Sequence, residues 1–179
     1  MTIPGKPVAP AHCIWITGLS GAGKSTLAAA LRTALLARGV AATVLDGDDL
    51  RKGLCADLGL SETDRDENIR RAGEVARLMQ RAGLVVICAF ISPYAAARER
   101  VRQLFDAEHF TEIFLSTSLA VCAARDPKGL YARARSGALS GLTGWDAPYE
   151  KPDSPDFTFD TEHMPLGEMV AAVLGPPPR

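Results

Sequence analysis

Nine residues from Gly18 to Thr26, Gly-Leu-Ser-Gly-Ala-Gly-Lys-Ser-Thr, constrain this chain more than any other stretch. They follow the apolar run Cys13-Ile14-Trp15-Ile16-Thr17 and open an alanine-rich stretch of helical character from Lys24 to about Arg38. A strand, a G-x-x-x-x-G-K-[ST] loop and a helix in that order make a P-loop. Gly18, Gly21 and Gly23 permit backbone angles closed to residues with a side chain, so the loop can turn its N–H groups onto an anion. The helix behind it points its free N–H groups and positive dipole end at the same place. Lys24 is expected at the β- and γ-phosphates of a nucleoside triphosphate, and the Ser25 hydroxyl on Mg²⁺. Leu19, Ser20, Ala22 and Thr26 complete the loop of this nucleotide site.

Around the loop, short β-like runs alternate with longer helical ones, which predicts a parallel sheet with crossover helices. Strands are expected near 13–17, 42–46, 84–90, 112–116 and 157–160. The third, Leu84 to Phe90, is apolar throughout, as a strand covered on both faces should be. Helices fit 24–38, 64–82, 93–105, 118–125, 130–136 and 165–174, and a short one, Leu50–Leu58, could be capped by Asp48 or Asp49. Ser61 with Asp64 supplies a start signal for the 64–82 helix. The predicted architecture is an α/β P-loop NTPase fold, a five-stranded parallel sheet with helices on both faces. Residues 12–174 form one domain, with 1–11 and the proline-rich 175–179 as loose tails. The stretch Asp126–Asp153, rich in Gly, Pro, Arg, Lys and Tyr without a stable period, is expected to act as a lid.

A net charge of −1 and a pI near 6.3 provide no global basic field, so nucleic acid is not an expected partner. Cys13, Cys55, Cys88 and Cys122 are scattered without a C-x-x-C pair; Cys13 and Cys88 read as small buried hydrophobes. That usage fits a reducing, cytoplasmic setting. No apolar run reaches the length of a membrane span, and the first residues lack the apolar core of a signal peptide. His12, His109 and His163 have no metal-ligand spacing and are expected to be structural or exposed.

Open parallel sheets bind ligands beyond the carboxyl ends of their strands. After the first three strands stand the P-loop, then Asp46-Gly47-Asp48, then Ile91-Ser92-Pro93, so all three should meet at one edge. Phosphoryl transfer to an alcohol needs a group that orients or deprotonates the hydroxyl, and a carboxylate near Mg²⁺ does this. Arg51 lies three residues beyond Asp48, and Arg65 and Asn68 are likewise three apart. Arginine offers a planar fork to phosphate or sulfate, while asparagine pairs with hydroxyls or base edges. Arg70 and Arg71 are read as a solvated charged face.

The ordered series of these motifs resembles the adenylylsulfate kinases, which phosphorylate the 3′-hydroxyl of adenosine 5′-phosphosulfate. The resemblance runs from about Cys13 to Asp160. It rests on Gly18 to Thr26, on Leu45-Asp-Gly-Asp48 with Arg51, and on Asp64-Arg65 with Glu67-Asn68-Ile69-Arg70-Arg71. It continues through Ala89-Phe90-Ile91-Ser92-Pro93, Arg125-Asp-Pro-Lys-Gly-Leu-Tyr131, Thr143-Gly144 and Pro148-Tyr149-Glu150. The resemblance implies a homodimer that uses ATP and Mg²⁺. It places Asp48 at the reacting hydroxyl and Arg51, Arg65 and Asn68 on the adenylylsulfate. Ile91, Ser92 and Lys128 line that acceptor pocket, and Arg125 faces ATP. Ser92 is often labelled a phosphoserine intermediate in the family, yet the motif sets no His or Lys base beside it. Direct in-line transfer needs only positioning and charge neutralisation, and is the expected route.

Three positions depart from the family pattern. Leu60 and Leu142 stand where the family has the phenylalanine pair that sandwiches the acceptor adenine, and Trp145 replaces a small aliphatic residue. Losing an aromatic stack costs about 1–3 kcal/mol per base, part of which leucine restores by apolar packing. Trp145 is a candidate replacement ring. Two acceptors therefore stay open, adenylylsulfate and another nucleotide or nucleoside with the same ribose-hydroxyl chemistry. A regulatory ATP-binding switch is a third reading, but it needs none of Asp48, Arg65, Asn68 and Lys128.

Overall fold

The computed structural model describes residues 11–176. Most of the two expected tails lies outside them. The elements in order are β1 (Cys13–Gly18), α1 (Lys24–Ala37), β2 (Ala42–Asp46), α2 (Gly47–Lys52) and α3 (Glu62–Arg81). Then come β3 (Val85–Ala89), α4 (Ala95–Arg102), β4 (Phe110–Leu115), α5 (Leu119–Arg125), α6 (Leu130–Arg135), β5 (Phe157–Phe159) and α7 (Leu166–Leu174). All strand pairs are parallel, in the order β2-β3-β1-β4-β5, so β1 is central and carries the P-loop at its carboxyl end.

Successive residues of a strand point to opposite faces, and here both faces are apolar. Ile14 and Ile16 of β1 and Val85 and Ile87 of β3 face a core shared with Leu27, Leu31 and Leu35 of α1 and Met169 and Val173 of α7. Their neighbours Cys13, Trp15, Val86 and Cys88 face a second core built with Ile69, Ala72 and Ala76 of α3 and Ala97 and Val101 of α4. Two helical layers therefore sandwich the sheet and leave its carboxyl edge as the open surface. All four cysteines are buried and unpaired.

The expected α3 start is present: Ser61 is the N-cap and accepts from the Asp64 N–H at 3.1 Å. One helix differs from expectation. The short helix expected over Leu50–Leu58 instead spans Gly47–Lys52, and its N-cap is Asp46 rather than Asp48 or Asp49; the Asp46 carboxylate accepts from the Asp48 N–H at 2.9 Å. Asp46, the last residue of β2, is still extended and so can cap at once. Gly53 ends the helix because glycine loses most entropy when helical. Arg71 then ties the following turn to α3 through Asp57 at 2.6 Å and Glu67 at 2.9 Å, with Arg70 also on Glu67, so these arginines form a surface ion network.

Candidate active site

At the donor end, Gly21 (φ +78°) and Gly23 (φ +98°) adopt the left-handed angles that the loop requires. A Cβ on Gly21 would lie 2.9 Å from the Cys122 carbonyl oxygen, so no larger residue fits there. The Lys24 ammonium arches over the loop and donates to the carbonyls of Gly18 (3.0 Å) and Leu19 (2.7 Å). Desolvation, reinforced by the positive charge of Lys128, lowers its pKa to about 8. The Ser25 hydroxyl donates to Asp46 Oδ2 at 2.6 Å. Asp46 thus serves two purposes: one oxygen caps α2 and the other meets Ser25. Arg125, at the end of α5, donates to the Gly21 carbonyl at 3.3 Å and to the Thr161 hydroxyl at 2.7 Å, which puts it against the P-loop. Tyr131 of α6 is fully buried and donates its hydroxyl to the Ser20 carbonyl at 2.9 Å.

The other end, where the acceptor is expected, is built on α2, α3 and the turn after β3. Asp48, in the first turn of α2, forms an ion pair with Lys128 from the segment between α5 and α6. Arg51 donates to the Gly59 carbonyl at 2.9 Å, and Arg65 donates through Nε to the Leu60 carbonyl at 2.8 Å. The other two nitrogens of Arg65 reach the Thr143 hydroxyl and the Gly141 carbonyl, so this arginine spans from α3 to the expected lid. Asn68 is buried, and its side-chain Nδ2 has no hydrogen-bond partner within the protein. A buried amide donor left unpaired is costly, and this one lies on a cavity wall.

Ser92 is buried and non-glycine at φ +39°, a strained conformation that costs about 1–3 kcal/mol. Its hydroxyl accepts from the Trp15 indole N–H at 3.2 Å and donates to the Thr17 hydroxyl at 3.0 Å. Thr17 in turn donates to the Ile91 carbonyl at 2.7 Å and accepts from the Tyr149 hydroxyl at 2.9 Å. Neither histidine nor lysine contacts the Ser92 hydroxyl in this network.

One continuous cleft of about 1140 Å³ runs between the two ends. Single-ligand pockets span roughly 300–1,000 Å³, so this cleft has room for two small ligands. Its lining includes Ser20, Gly21, Gly23, Lys24, Ser25 and Thr26 from the P-loop and Asp46, Asp48 and Arg51 after β2. Leu60, Arg65, Asn68, Ile91, Ser92, Arg125, Lys128 and Leu142 line it as well. Gly18, Leu19 and Ala22 belong to the loop without lining the cleft. Asp46 was recognised in the sequence as a carboxylate near the site, but not as the partner of Ser25.

The sequence model of the adenylylsulphate kinase family matches residues 10–160. The chain belongs to this family. An adenylyl-sulfate kinase of Pseudomonas entomophila is 58% identical over 161 residues, covering 90% of this chain and 77% of its own. Among solved structures, the APS kinase CysC of Mycobacterium tuberculosis, in complex with AMPPNP and APS, superposes with a TM-score of 0.85 at 43% identity, covering 92% of this chain and 95% of its own. A hexameric APS kinase from Thiobacillus denitrificans matches with a TM-score of 0.65 at 35% identity over 89% of this chain and 27% of its own. As a member of the adenylylsulphate kinase family the chain is a nucleotide-binding phosphotransferase that uses ATP.

The positions that depart from the family pattern fall in different places. Leu60 is 54% exposed at the cleft rim, whereas Leu142 is buried and joins the core beneath it. Trp145 does not line the cleft, which corrects its reading as a replacement ring. Its indole packs edge-on against Tyr131 with centroids 6.2 Å apart and lies beneath Arg135 at 5.9 Å. The turn at Thr143–Ala147 sends the ring outward: Asp146 accepts from the Gly141 and Leu142 N–H groups at 2.8 and 2.6 Å and closes the loop on itself.

A further wall escaped the sequence reading. Thr161, Glu162, His163, Met164 and Pro165, between β5 and α7, and Leu166 at the start of α7 line the cleft as well. His163 therefore borders the cleft, with Nδ1 3.1 Å from Asp160 Oδ2. The signal was available, since this segment also follows the carboxyl end of a strand.

Proposed function

We propose that the protein transfers the γ-phosphoryl group of ATP to the 3′-hydroxyl of adenosine 5′-phosphosulfate, giving 3′-phosphoadenosine 5′-phosphosulfate and ADP. The observation that carries this reading is the single cleft with the P-loop at one end and Asp48, Arg51, Arg65 and the unpaired amide of Asn68 at the other. The acceptor named for the M. tuberculosis relative supports the choice of substrate.

Lys24 and the loop N–H groups hold the β- and γ-phosphates. Asp48 accepts the proton of the ribose hydroxyl as its oxygen bonds to the γ-phosphorus and the bond to the β–γ bridging oxygen breaks. Lys128, paired with Asp48, stays near the charge being moved. Arg51 and Arg65 bind the phosphosulfate, and Arg125 secures the nucleotide end of the loop. Mg²⁺ fits the donor set, because a hydroxyl and a carboxylate oxygen 2.6 Å apart beside the phosphate loop suit a small hard cation that also takes phosphate oxygens. Ser25 and Asp46 would hold it, and it would neutralise charge on the phosphates.

The engagement of the Ser92 hydroxyl by Trp15 and Thr17 supports direct transfer between the bound substrates over a phosphoserine route. Residues 126–153 act as the lid, with Lys128 and Thr143 as the points that meet the acceptor side. The same reading includes a cytoplasmic setting, which the four buried free thiols support, and self-association as a homodimer. A hexameric relative supports self-association, and the dimeric state rests on the family resemblance alone. Among the described residues no helix is long and apolar enough to cross a membrane.

Turnover of adenylylsulfate and a panel of 5′-nucleotides, followed by ADP release and product mass, tests the assignment. Phosphorylation of adenylylsulfate in preference to the panel is the anticipated result. Turnover of another nucleotide without adenylylsulfate, or fast ATP hydrolysis with no acceptor, would overturn it.

A further inference from the structure

We infer that Arg98 is a positioning residue for the acceptor half of the site, holding the Ile91–Ser92 wall and the downstream end of the lid as one rigid piece. Arg98 lies on α4, is 4% exposed, and is not among the residues that line the cleft. Its guanidinium makes three directed contacts at once. Nη1 donates to the Ser92 carbonyl at 2.7 Å, Nη2 donates to the Glu150 carbonyl at 2.7 Å, and Nε meets Glu112 Oε1 of β4 at 3.2 Å. The Tyr149 ring centroid lies 5.9 Å from the guanidinium carbon.

A buried ion pair is weak evidence of stabilisation, since a hydrophobic pair of similar volume often serves as well. What an apolar residue cannot do is hold two carbonyls from segments far apart in sequence. Ser92 requires such a hold, because φ +39° is unfavourable for a residue with a Cβ and the turn would relax without it. Its carbonyl is held by Arg98, its hydroxyl by Thr17, and the preceding Ile91 carbonyl also by Thr17. Both Ile91 and Ser92 line the cleft. On the lid side, Tyr149 bonds Thr17, the Glu150 N–H donates to the Pro93 carbonyl at 2.8 Å, and the Glu150 carboxylate accepts from the Ala95 N–H at 2.6 Å. Arg98 therefore joins the lid's anchored end to the turn that forms the wall. A lysine keeps the charge beside Glu112 but cannot present a planar fork to both carbonyls. The inference rests on the reading of Ile91–Ser92 as acceptor-side wall.

The test is the split between the two substrates' KM values in Arg98→Lys and in the charge-neutral double variant Arg98→Met/Glu112→Gln, with melting curves for each. The double variant leaves no unpaired buried charge and covers the case in which the single one fails to fold. Acceptor KM should rise about tenfold from loss of the charge-assisted bonds, while ATP KM stays within about twofold of wild type. Acceptor KM within about twofold of wild type in the folded variants, or a parallel rise in both KM values, would overturn the inference. Wild-type turnover of adenylylsulfate reports separately on the substrate assignment. Should another nucleotide be the acceptor, the same KM split is read with that nucleotide.

Discussion

Asp46 allows a clean separation of structural from chemical roles, because its two carboxylate oxygens do different work. Oδ1 caps α2 through the Asp48 N–H at 2.9 Å, and Oδ2 receives the Ser25 hydroxyl at 2.6 Å. In Asp46→Asn the amide oxygen can keep the cap, since Asn and Asp are equivalent N-caps. The amide NH₂ then faces Ser25, whose hydroxyl can turn to accept. Charge at the proposed metal position is lost while the fold is spared. In Asp46→Ala both contacts go, and loss of the cap costs about 1 kcal/mol. For a chain of 179 residues that is a drop in Tm of about 2–4 °C. Asp46→Asn should therefore melt close to wild type yet lose at least about 100-fold in kcat, as expected when a metal-holding group is removed. A 100-fold loss is ~2.7 kcal/mol of barrier. Its activity should also demand more Mg²⁺ than wild type. The assay is a coupled ADP-release measurement across a Mg²⁺ titration, beside thermal melts of the three proteins. Wild-type kcat in Asp46→Asn at low Mg²⁺ would refute the metal role, and a Tm loss equal to that of Asp46→Ala would refute the division of labour between the oxygens.

The same geometry carries further outcomes at Lys24, Ser92 and Asn68. Lys24 has its pKa lowered to about 8 by desolvation and by Lys128, so ATP affinity of the free enzyme should fall as pH rises through that value. Lys128→Met should move this limb to higher pH; ATP binding measured from pH 7 to 10 in both proteins checks the shift. The folded chain binds fewer protons at Lys24 than the unfolded chain between about 8 and the ordinary lysine value of about 10.4. This group's contribution to stability therefore rises with pH across that window. Ser92→Ala should keep turnover within about tenfold of wild type and lose about 1–3 kcal/mol of stability by orphaning the Trp15 N–H. Abolished turnover in a folded Ser92→Ala protein would instead support the phosphoserine route. Asn68→Leu removes an unpaired buried amide, so it should not lower the Tm by more than about 2 °C. Its acceptor KM should rise about tenfold, and steady-state kinetics beside a melt would expose the opposite pattern.

How much of this was legible beforehand depended on the range of the interactions concerned. Local sequence was enough for the P-loop, because its glycines, lysine and serine act within nine consecutive residues. It was enough for the β1 and β3 strands, whose two-faced apolar runs mark them as interior, and for the Ser61 cap, whose partner is three residues away. The rule that ligands gather beyond strand carboxyl ends also set the P-loop, Asp46-Gly47-Asp48 and Ile91-Ser92-Pro93 at one edge, and residues of all three line one cleft.

Other features depended on contacts between distant segments, which carry no local signature. The cap of α2, expected at Asp48 or Asp49, falls on Asp46 because of where β2 ends, and Ser25, 21 residues earlier, had to approach before Asp46 acquired its second role. Trp145 read as a candidate base-stacking ring, yet the turn closed by Asp146 sends it to Tyr131 and Arg135. The buried pair of Arg98 and Glu112 could not be distinguished from ordinary surface charges, because a charged residue shows its burial only once α4 is packed on β4. Sequence alone thus determined the chemistry of the donor loop and the layering of the sheet, which follow from periodicity and short-range hydrogen bonding. Tertiary structure decided which carboxylate meets Ser25, which ring leaves the cleft and which arginine is buried behind its wall, because each depends on the position of a residue far along the chain.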